Sequence, residues 1–126
     1  MIRYRTQSRA PHLLVELDGT VAGDQVRRAF RDLPDALSRL PAQFVMLASY
    51  PDLLLLESDA VGPLFYFVTH IFDADPGLCV FVDGGRSPHP GLRAFIERIG
   101  LDDQVHFVET PAEADERIQR FRDRTG

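Results

Sequence analysis

The sequence predicts an α/β fold, with one mixed sheet of about five strands and about four helices packed against it. The hydrophobic period switches repeatedly between two and about 3.6, as expected for strands that alternate with helices. Two nearly continuous apolar runs, residues 44–48 and 78–82, are typical of strands that are covered on both faces. Because 126 residues with 44% hydrophobic side chains suffice for one core and not for two, we expect a single domain over residues 1–126.

The first part of the chain predicts two strands followed by an interrupted helix. Residues 2–6 and 12–19 look like short strands, and Gly19 marks the turn after the second one. Beyond Asp24 the apolar residues recur at steps of three and four, which places them on one side of a helix: Val26, Phe30, Leu33, Leu37 and Leu40. Pro34 falls inside this pattern, so we expect it to kink or restart the helix.

Four leucines, residues 53–56, lead into a Glu-Ser-Asp triplet and a helix. Ser58 or Asp59 is expected at the N-cap, where a side-chain oxygen accepts a hydrogen bond from the free amides of the first turn and the helix dipole favours negative charge. Pro63 is tolerated because it lies in or close to that turn.

The helix that follows has a wide apolar face and a few residues outside it. Tyr66 and His70 lie one turn apart on the opposite side, where an aromatic side chain is a candidate contact residue for a partner. The apolar face is formed by Val61, Leu64, Phe65, Val68, Ile71 and Phe72.

The last third of the chain predicts a helix, a strand and a final helix. Residues 90–101 have helical spacing, and Gly100 stands where a left-handed cap is needed. Residues 105–108 are the last strand, and residues 110–121 form a helix that Thr110 caps. This order predicts that the C-terminal part of the sheet is parallel, with right-handed crossovers.

Composition excludes several classes of function. The formal net charge of −5 disfavours nucleic acid, which binds through clustered cations. All fourteen basic residues are arginine, so a P-loop NTPase and a Schiff-base enzyme, which both need a lysine, are excluded. No segment approaches the roughly 20 apolar residues of a membrane span, and we expect a cytoplasmic protein that does not bind membranes. Cys79 lies in an apolar run and is expected to be a buried hydrophobe.

No constellation of residues predicts catalysis or a cofactor. There is no Gly-x-Ser-x-Gly segment, and no serine or cysteine is paired in sequence with a recognisable base. The histidines have no partners at ligand spacing, so we expect neither a metal nor another cofactor; they are His12, His70, His89 and His106. A non-catalytic protein is therefore expected.

The loop after residues 78–82 is a candidate anion site. It contains Gly84, Gly85, Arg86 and Ser87 at the carboxyl end of a predicted strand, where backbone amides and a guanidinium can hold an anion. A plain turn built by glycine, serine and proline is the alternative.

The order of elements, with "LLLLESDAVGPLFYFV" and "GLCVFVDGGRSPHPGLRAFIERIGLDDQVHFVETPAEA", resembles a STAS domain of the anti-sigma-factor antagonist type. In that family a strand leads into an Asp-Ser-Ser-Gly-Leu-Gly segment that opens a helix. Residues 57–62 occupy this segment without a gap, with Glu57 for the aspartate, Asp59 for the second serine and Ala60 for the first glycine. The resemblance covers nearly the whole chain from His12 and implies a single STAS-like domain.

The resemblance also implies the conformation of the four leucines. In the family's register, Leu53 to Leu56 form the short extended lead-in to the helix. We therefore expect their side chains to alternate, with one or two of them left at the surface.

The resemblance implies a regulatory module that binds proteins. In such antagonists the first serine of the motif is phosphorylated by a partner anti-sigma kinase, which releases the partner, and Ser58 occupies that position. The implied partner surface consists of Glu57, Ser58 and Asp59, and Tyr66 and His70 extend it or serve a homodimer.

Two alternatives stay open at the level of sequence. Asp59 can supply a fixed negative charge that keeps the domain in a phosphorylated-like state. The second alternative is a STAS-like domain that binds a small apolar ligand or a lipid, with a pocket under the helix that carries Phe65, Phe67 and Phe72.

Overall fold

The structure is a computed structural model that describes residues 1–85, 90–100 and 103–125. Within these ranges the chain forms seven strands and five helices. The strands are β1 (Ile2–Thr6), β2 (Leu13–Leu17), β3 (Gly19–Val21), β4 (Val45–Ser49), β5 (Leu53–Leu56), β6 (Leu78–Val82) and β7 (Val105–Val108). The helices are α1 (Gly23–Phe30), α2 (Leu33–Ser38), α3 (Ser58–Asp73), α4 (Pro90–Ile99) and α5 (Pro111–Thr125).

Five strands form the main sheet, in the order β1-β2-β4-β6-β7. β1 is antiparallel to β2, and every later pair in this sheet is parallel. The predicted mixed α/β fold, with its parallel C-terminal part, is therefore confirmed.

A second, two-stranded sheet pairs β3 with β5 in parallel, and the sequence did not predict it. Gly19, which was expected to mark a turn, has φ +58° and lets the chain leave β2 and begin β3 at once. β3 is only three residues long. A segment this short has too few residues for its hydrophobic pattern to distinguish it from the end of β2.

The helix expected after Asp24 is interrupted where Pro34 predicts. α1 ends at Phe30, and α2 begins at Leu33 with Pro34 in its first turn. Val26 and Leu33 are both fully buried, so the two short helices bury the single apolar side that the sequence pattern describes.

The main sheet is covered on both faces. One face packs against α1, α3 and α4 and carries the larger core, which includes Met46, Phe67 and Phe81. The other face packs under α5 and carries a smaller core, which includes Val80 and Ile118. All five residues of β6 are buried, as its continuous apolar sequence predicts. Cys79 is among them, and burial raises the pKa of its thiol to about 12.

Protonation of His12 is expected to weaken the junction between β2 and β4. The His12 amide donates to the Val45 carbonyl at 2.9 Å, and His12 Nδ1 accepts from the Val45 amide at 3.0 Å. Nδ1 can accept only while it carries no proton, and partial burial lowers the pKa of His12. This contribution to stability is complete above the ordinary histidine pKa of about 6.5 and is lost as the pH falls through that value toward the lower pKa of the folded state.

The substitution His12→Asn should remove this pH dependence, because asparagine Oδ1 can accept the same hydrogen bond and does not titrate. Between pH 8 and pH 5, the free energy of unfolding in urea should fall by up to about 1 kcal/mol more for the wild type than for the variant. The pKa of His106 is also lowered, mainly by burial and secondly by the charge of Arg117. His106 is present in both proteins, so its contribution to the pH dependence cancels in the comparison. Parallel pH profiles would contradict the assignment.

Candidate functional site

A β-bulge in β5 turns two leucines toward solvent. Leu53 pairs with the first residue of β3 and Leu55 pairs with the second, Thr20, so Leu54 is an extra residue without a partner in β3. Leu54 is 75% exposed and Leu55 is 54% exposed, whereas Leu53 and Leu56 are buried. The prediction that one or two of the leucines lie at the surface is confirmed, and the bulge replaces the expected strict alternation.

α3 starts directly after β5, and its N-cap is Glu57. The prediction of Ser58 or Asp59 at the N-cap is therefore wrong. The Glu57 amide donates to the Val21 carbonyl at 3.0 Å, which extends the β3-β5 ladder by one residue and keeps Glu57 extended, with φ −63° and ψ 152°. Ser58 and Asp59 are consequently the first two helical residues, a position where the helix dipole still favours a carboxylate.

Asp59 joins the start of α3 to the start of α1. Its Oδ1 atom accepts a hydrogen bond from the Gly23 amide at 3.1 Å. Ala22, the N-cap of α1, has no side-chain acceptor, so Asp59 satisfies an amide that the local sequence leaves free. Glu57, Ser58 and Asp59, which we call the triplet, are thereby fixed relative to a second helix.

Gly23 is a residue of this site that the sequence interpretation missed. A Cβ atom at Gly23 would lie 2.5 Å from the Asp59 carbonyl oxygen and 2.9 Å from its carbonyl carbon. Pro63 has no N–H group, so it cannot donate the usual helical bond to that oxygen. The signal in the sequence is a glycine that follows a non-capping alanine at a helix start, but nothing local identifies Asp59 as its partner.

The side chains of the triplet lie at the surface. All three residues are exposed, and in the described ranges the Ser58 hydroxyl has no hydrogen-bond partner. Neither triplet carboxylate forms an ion pair with an arginine of the described residues. Ser58 therefore presents a free hydroxyl between two carboxylates at a helix start.

Tyr66 and His70 lie beside α1 and contact it. Both rings meet Phe30, with centroids 5.1 Å away for Tyr66 and 4.8 Å away for His70. Tyr66 remains 58% exposed, and His70 is half-buried. The side of α3 that was expected to face a partner thus partly packs on α1, and Tyr66 is its accessible part. Tyr66 borders a groove of about 430 Å³ between α1 and α3, beside Gly62.

Comparison with known proteins supports the architecture. No protein-family model matches the sequence, and none of the curated proteins is significantly similar to it. A solved structure, described as the anti-sigma factor antagonist SpoIIAA in its unphosphorylated form, matches with a TM-score of 0.63 over 94% of this chain and 98% of that chain. The chain has the STAS fold. The sequence identity with SpoIIAA is 15%, so the likeness concerns the fold.

In this STAS fold, the loop after β6 is described as far as Gly85. Gly84 and Gly85 have φ of +69° and +78°, and the Gly85 amide donates to the Asp83 carboxylate at 2.8 Å. This half of the loop is therefore a turn whose Gly85 amide already has an acceptor. Arg86 and Ser87 lie outside the described residues, and the anion site stays a prediction.

The interior of the STAS fold is nearly full. A cavity of about 30 Å³ lies between α3 and the main sheet, lined by apolar residues that include Met46, Leu64 and Phe67. This volume is about that of one water molecule, so an apolar ligand or a lipid would need the core to open. No observation in the described ranges favours the ligand-binding alternative.

Among the described residues, no three histidine, cysteine, aspartate or glutamate side chains are grouped so that they could hold a metal ion. Within the same residues, no helix has the length and apolar character needed to span a membrane.

Proposed function

We propose that this chain is a non-catalytic regulatory module that binds a partner protein through the triplet at the start of α3. The observation that carries the proposal is the placement of the triplet: three exposed residues on a STAS fold, fixed to α1 by the bond between Asp59 and Gly23. A fixed, exposed helix start suits recognition, because a rigid surface loses little entropy when it binds. The related fold of an anti-sigma factor antagonist supports a regulatory role.

The proposed switch is phosphorylation of Ser58. Its hydroxyl is free and lies in the first turn of α3, where the helix dipole stabilises a phosphate. Glu57 and Asp59 oppose the modification by up to about 1 kcal/mol each, because they are like charges in a solvated environment. A phosphate would place a bulky, strongly hydrated group in the middle of the triplet, and the partner would be released because it could no longer approach the start of α3 closely.

Asp59 is occupied by a structural contact, which bears on the alternative of a fixed negative charge. Its Oδ1 atom accepts the hydrogen bond from the Gly23 amide, so the carboxylate already has a structural role in joining α3 to α1. We therefore assign the switch to Ser58 and the positioning of the surface to Asp59.

The test begins with protein isolated from its own host. Mass spectrometry of the intact chain is expected to find phosphate at Ser58, and a partner captured from host lysate is expected to bind Ser58→Ala as tightly as the wild type. Ser58→Glu should weaken that binding at least tenfold. Ser38→Glu, which adds the same charge at an exposed serine of α2, is the matched control and should bind normally.

Two results would contradict the proposal. A partner that binds the Ser58→Glu and Ser38→Glu variants equally would remove Ser58 from the interface. A chain that captures no protein from its host, with Ser58 never modified, would remove the regulatory function itself.

A further inference from the structure

Two leucines of β5 are exposed to solvent, and no contact within the described residues covers them. Leu54 and Leu55 are large apolar side chains that the bulge turns outward, with exposures of 75% and 54%. Bulges re-aim side chains at specific positions in a sheet. Two adjacent leucines exposed to this degree form an apolar surface that a folded chain does not require for its own core.

Carboxylates surround these leucines on both sides along the chain. Asp52 precedes β5 and Glu57 follows it, and Asp59 lies in the first turn of α3; all three residues are exposed. The segment 52–59 contains no basic residue, so its formal charge is −3. In the described residues none of these three carboxylates is paired with an arginine. We call Leu54, Leu55 and the three carboxylates the β5 patch.

We propose that the β5 patch is the docking site for a protein segment in which apolar side chains are flanked by arginine or lysine. The apolar side chains would cover Leu54 and Leu55, and the cations would meet the carboxylates at either end. Residues 52–57 span about 16 Å in an extended conformation, which matches a short peptide segment. This inference rests on the proposed function, since it specifies the chemistry of the partner that the triplet recognises.

A second copy of this chain does not fit the β5 patch. In a symmetric dimer the same surface meets itself, so the three carboxylates of one copy would face the three of the other. Like charges placed together disfavour such a contact. The charge of the patch therefore selects a partner of opposite charge.

The experiment uses a phage-displayed library of random dodecapeptides and the full chain as the immobilised target. Selected peptides are expected to combine apolar residues with arginine or lysine. Their affinity should fall at least tenfold for the double variant Leu54→Thr and Leu55→Thr, which keeps residues that favour strands. It should also fall for the double variant Asp52→Asn and Glu57→Gln, and on raising NaCl from 50 to 500 mM.

The control is Ile99→Thr, which alters another exposed apolar residue, at the end of α4, and should leave peptide binding unchanged. Selected peptides without basic residues, or peptides that bind the Leu54/Leu55 variant as well as the wild type, would overturn the proposal. A dimer in sedimentation velocity that the same variant dissociates would also overturn it, by assigning the patch to self-association.

Failure of this inference is distinguishable from failure of the proposed function. One result is a host protein that is released by Ser58→Glu and still binds the Leu54/Leu55 variant normally. That result would support the proposed function and contradict the role of the β5 patch in binding. The opposite pair of results is that basic, apolar peptides require Leu54 and Leu55 while no host partner responds to Ser58→Glu. These results would support the β5 patch as a docking site and contradict the proposed function.

Discussion

Replacing Phe67 by alanine is expected to lower the free energy of unfolding by about 3–5 kcal/mol, the largest loss among the changes considered for this protein. Phe67 is 1% exposed and lies on the face of α3 that packs on the main sheet, where its ring meets Tyr4 edge to face with centroids 6.2 Å apart. It also lines the cavity of about 30 Å³. Removing the ring would enlarge that cavity, which adds a cavity penalty to the lost burial.

Equilibrium unfolding in urea measures this loss. Tyr66→Ala is the matched control, because Tyr66 is the neighbouring aromatic residue on α3 and is 58% exposed; it should cost about 1 kcal/mol or less. If the two variants lost equal stability, the face of α3 that packs on the sheet would be wrongly assigned. The enlarged cavity should also bind a small apolar probe such as benzene, which the wild type should not.

The second large effect is expected for Gly23→Ala, at about 2–4 kcal/mol. The new methyl group would lie 2.5 Å from the Asp59 carbonyl oxygen. The oxygen is a backbone atom, and the methyl carbon is bonded directly to the backbone. No flexible side chain can yield, so α1 and α3 must separate at their starts. The separation would also lengthen or break the bond from the Gly23 amide to Asp59 Oδ1.

Gly62→Ala is the matched control for this prediction, because it makes the same substitution inside α3. A Cβ at Gly62 has no atom within 4 Å, and alanine favours the helix over glycine by roughly 0.5–1 kcal/mol. Gly62→Ala should therefore be neutral or stabilising. Amide hydrogen exchange should locate the loss in Gly23→Ala at the first turns of α1 and α3. Uniform exchange, or equal stability of the two variants, would refute the close contact.

The sequence predicts those parts of the fold whose causes are local. β6 and β7 have the bounds that their apolar runs indicate, and the break between α1 and α2 follows from Pro34. The STAS fold was also predicted, because a short motif at the start of α3 and the order of elements are both readable along the chain. Exposure of one or two leucines in β5 followed from the alternation expected of a short extended segment.

The parts that could not be predicted depend on contacts between distant residues. The N-cap of α3 moved to Glu57 because Val21, on another strand, accepts its amide hydrogen bond. The outward turn of both Leu54 and Leu55 depends on a register shift against β3, which four consecutive leucines cannot reveal. The role of Gly23 depends on an approach of α3 that is visible only after folding.

The hydrogen bond between Gly23 and Asp59 also bears on when α1 can become stable during synthesis of the chain. The two residues are 36 positions apart, and α1, with eight residues and no side-chain cap of its own, is too short to be stable alone. We therefore expect the first turn of α1 to become stable only after Asp59 has left the ribosome, well after α1 itself has been made. A helix in the N-terminal third of the chain thus depends for its first turn on a residue near the middle of the chain. A nascent chain that stalls before Asp59 is expected to expose α1 to proteases in an unstable form.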